Sequence, residues 1–185
     1  HRSHTHSPVS GDKTVAGQAG WVRHLEDDDT AQMFPRTDPA VIVLVTDDQD
    51  RLLLGNNAMW ESNRFSLLAG YVEPGESLEA AVIREVFEES GVVVVNPVYL
   101  GSQPWPFPQS LMLGFRATVA AGFDPENHVA DGEEILTLRW FTRDELKASL
   151  NDIVLPGKVS IARALIEEWL GESLDQDDAW NGRIA

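Results

Sequence analysis

Gly70-Tyr71-Val72-Glu73-Pro74-Gly75-Glu76, then Ser77-Leu78-Glu79-Ala80-Ala81-Val82-Ile83, then Arg84-Glu85-Val86-Phe87-Glu88-Glu89-Ser90-Gly91-Val92, is the stretch that decides the fold. Its glycine-rich entry reads as a loop. Residues 77–89 read as a helix, with Gly91 as the left-handed cap that ends it. At 3.6 residues per turn, Glu85, Glu88 and Glu89 stand at i, i+3 and i+4 and share one stripe. Ala80, Ile83, Val86 and Phe87 are expected on the opposite side, against a core. Three like charges on one stripe repel, and the spacing suggests no Lys or Arg interleaved among them. A hard divalent cation among the carboxylates removes that repulsion, and Mg²⁺ then takes phosphate oxygens as further ligands. A solvated acidic face is the plainer reading of an isolated Glu-x-x-Glu-Glu.

Outward from this stretch, both flanks alternate strands and helices. Residues 40–45 are a β-branched run that reads as a buried strand, with 51–55 as its hairpin partner and 65–69 as a third strand stopped at Gly70. Strands follow at 92–95, 98–100, 110–119 and 135–141, and helices at 144–150 and 160–169. Residues 1–38 are polar and poor in aliphatics, so they read as an irregular appendage. The expected organisation is an N-terminal segment over 1–38, a folded domain over 39–171 and an acidic tail over 172–185, where Trp180 is free to tuck back.

Composition narrows the functions. The 185 residues carry 30 Asp and Glu against 14 Lys and Arg, a net charge of -16, which argues against broad binding to nucleic acid or anionic membrane. A local anion site survives that balance where a bound metal inverts the local charge. There is no cysteine, so disulfides, thiolate catalysis and cysteine zinc sites are excluded. The longest apolar run, 40–45, is far too short for a membrane span, and no apolar signal region opens the chain. These features lead to the expectation of a cytoplasmic protein. The first residue is His rather than Met, which suggests a piece of a longer polypeptide.

A second segment stands out: Ser102-Gln103-Pro104-Trp105-Pro106-Phe107-Pro108-Gln109-Ser110. Alternating prolines argue against a regular central strand and for a stiff loop presenting Trp105 and Phe107. Such a loop suits a flat heterocycle, with Gln103 and Ser110 as hydrogen-bonding partners and Met112 close behind. A packed connection or a self-association surface fits the composition equally well.

The spacing of the first stretch, Gly70-x5-Glu76-x7-Arg84-Glu85-Val86-x-Glu88-Glu89-x-Gly91-Val92, resembles the Nudix box without a departure. The second segment resembles the signature that sets NADH pyrophosphatases, the NAD-capped RNA hydrolases, apart from other Nudix enzymes. The resemblance runs from Phe34-Pro35-Arg36 to about Glu168. It implies an α/β fold, the Nudix-type α-β-α sandwich with a mixed β-sheet, preceded by a degenerate zinc-ribbon-like segment. It implies hydrolysis of NADH or NAD⁺ to nicotinamide mononucleotide and AMP, removal of NAD caps from RNA 5′ ends, and a homodimer. Glu85, Glu88 and Glu89 would hold Mg²⁺ or Mn²⁺, with Glu89 also the base toward water and Glu134 a further ligand, Glu133 competing for that place. Gly70 would allow a tight turn, and Glu76 would pair with Arg84. Tyr71 would stack on the substrate ring, and Gln103, Trp105, Phe107, Ser110, Met112 and the Ala162 backbone would touch substrate. Zinc is not expected, because Ser7, Ser10 and the acidic run 26–29 stand near the places of the family's ribbon cysteines. His128 and the remaining tryptophans receive no catalytic role. Open alternatives are a Nudix hydrolase acting on ADP-ribose or a nucleoside triphosphate, and a non-catalytic nucleotide-binding domain.

Overall fold

The computed structural model describes residues 4–174. The chain divides into two units, the first ending at Thr37 and the second beginning at Asp38. Trp180 and most of the acidic tail lie outside the described residues.

The first unit is not irregular. It is a three-stranded antiparallel sheet of β1 (Thr14–Gly17), β2 (Val22–Leu25) and β3 (Asp28–Met33). Few aliphatics are needed, because hydrogen bonds hold it. Arg23 donates from Nε to Thr14 Oγ1 at 2.7 Å and from Nη2 to Thr14 O at 2.7 Å. Thr14 Oγ1 donates to His4 O, and Val22 is buried. The Ser7 hydroxyl accepts from the amides of Val9 and Ser10 at 3.2 Å each, and the Asp28 carboxylate accepts from Thr30 N at 2.9 Å. These are the side-chain turns that short polar residues form with the backbone.

The second unit is built on β4 (Asp38–Thr46). Valines 41, 43 and 45 point into one core, with Ala81, Val82, Val86 and Phe115; Ile42 and Leu44 point into the other, with Phe141, Leu165 and Ile166. A strand buried on both faces reads as a continuous apolar run, which is why 40–45 is legible as one. The sheet order is β7-β8-β4-β5-β9, with β6 pairing β4. Here β5 is Leu52–Asn57, β6 Leu68–Tyr71, β7 Val94–Trp105, β8 Ser110–Val119 and β9 Ile135–Phe141. Among the described strands β4 and β8 alone pair in parallel, from Asp38↔Ser110 to Thr46↔Thr118, so the sheet is mixed. Helix α1 (Leu78–Ser90) covers one face; α3 (Ile161–Leu170), with the short α2 (Arg143–Ala148) alongside, covers the other. No described helix is long and apolar enough to cross a membrane.

Three local expectations are corrected. The third strand does not stop at Gly70 but runs through it to Tyr71, with Gly70 opposite Val41. The strands expected at 92–95 and 98–100 and the loop after them are one irregular strand, β7, which carries Pro97 and Pro104 because it is the edge of the sheet. The stiff loop shrinks to the turn 106–109. On α1 the buried stripe is Ala81, Val82, Val86, Glu89 and Ser90, whereas Ala80, Ile83 and Phe87 are exposed. The core face thus runs beside the glutamates rather than opposite them.

Candidate active site

Local rules place α1. Ser77 caps its N-terminus by accepting from Ala80 N at 3.2 Å, and Gly91, at φ 67°, ends it in the left-handed conformation. The preceding loop turns at Gly75, whose φ is +88°.

Arg84 organises the near side of this helix. Its Nε and Nη2 donate to the two Glu76 carboxylate oxygens at 2.8 Å each, and Nη2 also reaches Tyr71 O at 2.9 Å. This forked pairing holds the Glu76 carboxyl down to about 2. Arg84 Nη1 then donates at 2.9 Å to both Glu85 Oε1 and Glu88 Oε2. A cation is therefore interleaved with the glutamates after all, placed four residues before Glu88. The repulsion that spacing suggests is partly relieved for two of the three.

Glu89 is the exception. Its side chain is buried with 4% of its surface exposed, and its Oε2 is a buried oxygen without a hydrogen-bond partner. Burial first, then the charges of Glu134 and Glu85, push its carboxyl up to about 9, against a hydrogen bond from Ala69 N that favours the charged form. Burial also raises Glu85, opposed by Arg84. Gly70 is what lets the sheet approach: a Cβ there would fall inside the Glu85 carboxylate. Its contribution is close passage of a carboxylate past a strand, not the turn expected of it.

Some of these groups border a cavity of roughly 630 Å³. Glu85, Glu134, Arg84 and Gly70 form its acidic side; Tyr71, Trp105, Phe107, Ser110 and Met112 form its aromatic side. Trp105 and Phe107 meet edge to face at 5.7 Å, and Tyr71 shares a 3.1 Å hydroxyl hydrogen bond with Ser110. The structure thus brings together most of the residues singled out from sequence. Glu89 lies buried outside the lining, with Glu85 and Glu134 as its charged neighbours. Glu88 is not in the lining, its side chain 56% exposed beside Arg84; Glu133 is exposed and also outside it. Gln103 is outside that lining: its Nε2 donates to Val159 O and its Oε1 accepts from Ile161 N, both at 2.7 Å. Ala162 is buried beneath a second cavity that shares Trp105.

Residues 36–164 match the model of the NUDIX domain. The chain belongs to the Nudix family. A relative named NAD-capped RNA hydrolase NudC, from Mycobacterium bovis, is 47% identical over 173 residues, covering 88% of this chain and 54% of its own. A relative of the same name from Stutzerimonas stutzeri is 48% identical over 147 residues, covering 80% and 49%. The chain thus spans about half the length of these curated relatives. A solved Nudix hydrolase from Nitrosomonas europaea superposes with a TM-score of 0.55 at 25% identity, covering 80% of this chain and 100% of that one.

The donor set of this Nudix site suits a hard divalent cation: carboxylate oxygens only, one of them buried and unpartnered at Glu89. Among the described residues, no three acidic or histidine side chains are gathered tightly enough to hold an ion in this conformation. In this conformation Glu85 and Glu88 are paired with Arg84 instead. Sequence reasoning missed three things here. The Arg84 bridge was present as the i, i+4 spacing to Glu88. The Gly70 contact and the tying of Gln103 to α3 depend on chain segments brought together by tertiary folding, and local spacing does not reveal them.

Proposed function

We propose that this chain hydrolyses the diphosphate linkage of NADH and NAD⁺ to nicotinamide mononucleotide and AMP, and cleaves the same linkage in NAD-capped RNA. One observation carries the reading: the acidic side of the Nudix helix and the Trp105–Phe107 hairpin border one cavity, so a diphosphate and a flat ring find complementary surfaces side by side. The relatives' name, NAD-capped RNA hydrolase, supports the capped RNA among these substrates.

In this reading Glu85, Glu88, Glu89 and Glu134 hold Mg²⁺ or Mn²⁺, which supplies neutralisation of the diphosphate charge and acidification of water. Binding the ion requires Glu85 and Glu88 to turn from Arg84. A water oxygen adds to one phosphorus and the bridging P–O bond breaks; Glu89, which would release its own proton to solvent when the cation is held beside it, takes the water's proton at Oε2. Glu76 and Arg84 keep the loop against the helix. Tyr71 and Phe107 stack on the base, and Ser110 orients the Tyr71 hydroxyl. Gln103 acts through position, fixing the hairpin that presents Trp105. The working state is a homodimer, and the first unit is a ribbon that carries no zinc.

Product analysis decides this. NADH incubated with the chain and Mn²⁺ should give the reduced mononucleotide and AMP in equal amounts. Release of free nicotinamide, or no turnover of NADH while ADP-ribose is cleaved, would refute it.

A further inference from the structure

Glu134 lines the acidic side of the Nudix cavity without an anchor of its own. Glu85 on the same side is paired with Arg84. Among the described residues, no hydrogen bond or ion pair holds the Glu134 carboxylate. Its direction is therefore set by the backbone that carries it. That backbone is held on both sides. Asp131 Oδ1 accepts from three successive amides, Glu133 N at 2.9 Å, Glu134 N at 3.0 Å and Ile135 N at 2.8 Å. The Glu134 carbonyl accepts from Ala58 N at 2.8 Å, just past the end of β5. Gly132 turns the chain at φ +76° and donates to Ile135 O at 3.0 Å. Ile135 opens β9 and is buried in the core that α1 covers. The loop is thus stitched to a fixed strand end.

We propose that Asp131 is the positioning residue that aims Glu134 at the divalent cation; the inference rests on the function proposed above and deepens it. Asp131 is outside the cavity lining, so its oxygen serves the backbone and does not compete for the ion. Residues 131–134 are exposed. Without Asp131, water would satisfy the same amides and leave the loop free to sample several conformations. The residue type suits the task. A short carboxylate reaches amides two, three and four positions on, and each bond to the charged oxygen is stronger than a neutral one. An amide side chain keeps the accepting oxygen and loses the charge. A longer carboxylate overshoots, and alanine leaves the amides to solvent. The role is exerted through Glu134: an ordered loop lets its carboxylate meet the ion without first being ordered.

Mn²⁺ binding by the full chain, followed without substrate by electron paramagnetic resonance, tests this. Asp131→Ala should weaken Mn²⁺ about tenfold, the lower end of what losing an outer partner costs a metal site. Asp131→Asn should bind within about threefold of the wild type, because the accepting oxygen remains. In a Glu134→Gln background, Asp131→Ala should weaken Mn²⁺ no further, since the carboxylate it aims is gone. With NADH, Asp131→Ala should need about tenfold more Mn²⁺ for half-maximal rate and keep kcat at saturating Mn²⁺ within about threefold. Should Asp131→Ala not fold, Asp131→Glu takes its place with the same expectation. Unchanged Mn²⁺ binding, equal losses for the alanine and asparagine variants, or a full further loss on Glu134→Gln overturns the proposal, as does a wild type that binds no Mn²⁺. If the variants differ as expected but the wild type leaves NADH intact, the function proposed above falls and the positioning role stands. If NADH is cleaved while all variants bind alike, this inference alone falls.

Discussion

Glu76 and Glu89 belong to one motif and one short stretch of chain, yet their carboxyls are held at about 2 and about 9. Glu76 meets a forked guanidinium and a backbone amide. Glu89 is packed into the apolar stripe of α1 and feels the charges of three other carboxylates, Glu134, Glu85 and Asp131. One end of the helix is finished as a structural joint; the other is left electrostatically incomplete. Satisfied polar groups mark what the fold needs for itself, and the unsatisfied one marks where a ligand's charge completes the structure.

The sharpest way to break the contrast is Glu89→Gln. NADH turnover with Mn²⁺ should fall by about 10²–10⁴-fold, the span typical of a lost acid–base group. The same variant without metal should be more stable, not less. The folded state keeps Glu89 protonated to about pH 9, while the unfolded chain releases that proton near its ordinary 4.5. Between these values the native state holds the extra proton, so stability falls as pH rises, by at most ~1.4 kcal/mol per unit. Denaturant titrations of the metal-free proteins should show Glu89→Gln ahead by about 1–3 kcal/mol at pH 8, with the advantage gone near pH 4. An unchanged difference across that range would place the contrast elsewhere.

Gly70→Ala probes the incomplete end from the sheet side. The new Cβ falls inside the Glu85 carboxylate, so the side chain must swing away from the strand. Gly70 is not among the positive-φ residues, so its backbone conformation accepts alanine. The cost is crowding, about 1–3 kcal/mol of stability. NADH turnover should drop about tenfold to a hundredfold, as expected when a metal-holding or positioning group is displaced by about an ångström. Raising Mn²⁺ should recover part of the activity. Full activity at low Mn²⁺ would show that the close passage at Gly70 is dispensable.

These differences also explain what could be read from sequence. The doubly buried β4, the capped α1 and β8 were legible, because continuous branched residues, a capping serine and a helix-ending glycine act locally. The Glu76–Arg84 pair was legible as part of a spaced pattern. What escaped depends on neighbours that only folding supplies. A strand edge makes Pro104 acceptable inside β7. The burial of Glu89 depends on the sheet that α1 packs against. Phe87 and Ile83 look like core from their composition, but the stripe facing the sheet is one step round the helix, and it carries the glutamate. The N-terminal sheet escaped because hydrogen bonds that Arg23 donates and that the Ser7 and Asp28 side chains accept substitute for the apolar residues a sequence reading looks for.

The smallest effect should come from the finished end. Glu76→Gln keeps the shape and removes the charge that Arg84 grips. Because the folded carboxyl is held below its ordinary value, its contribution is present above about pH 4.5 and is lost as pH falls toward 2. Melting curves should therefore show a modest deficit for Glu76→Gln at pH 7 that narrows through this window and disappears at its acid end. Amide exchange should quicken locally at Glu73, whose N–H donates to Glu76 Oε2 at 3.1 Å. Turnover of NADH at saturating Mn²⁺ should change far less than in Glu89→Gln, because this glutamate secures the loop and does not reach the reacting atoms. A loss rivalling that of Glu89→Gln would mean that the loop's position and the chemistry are inseparable, and the division of the motif into a joint and a reactive end would fail.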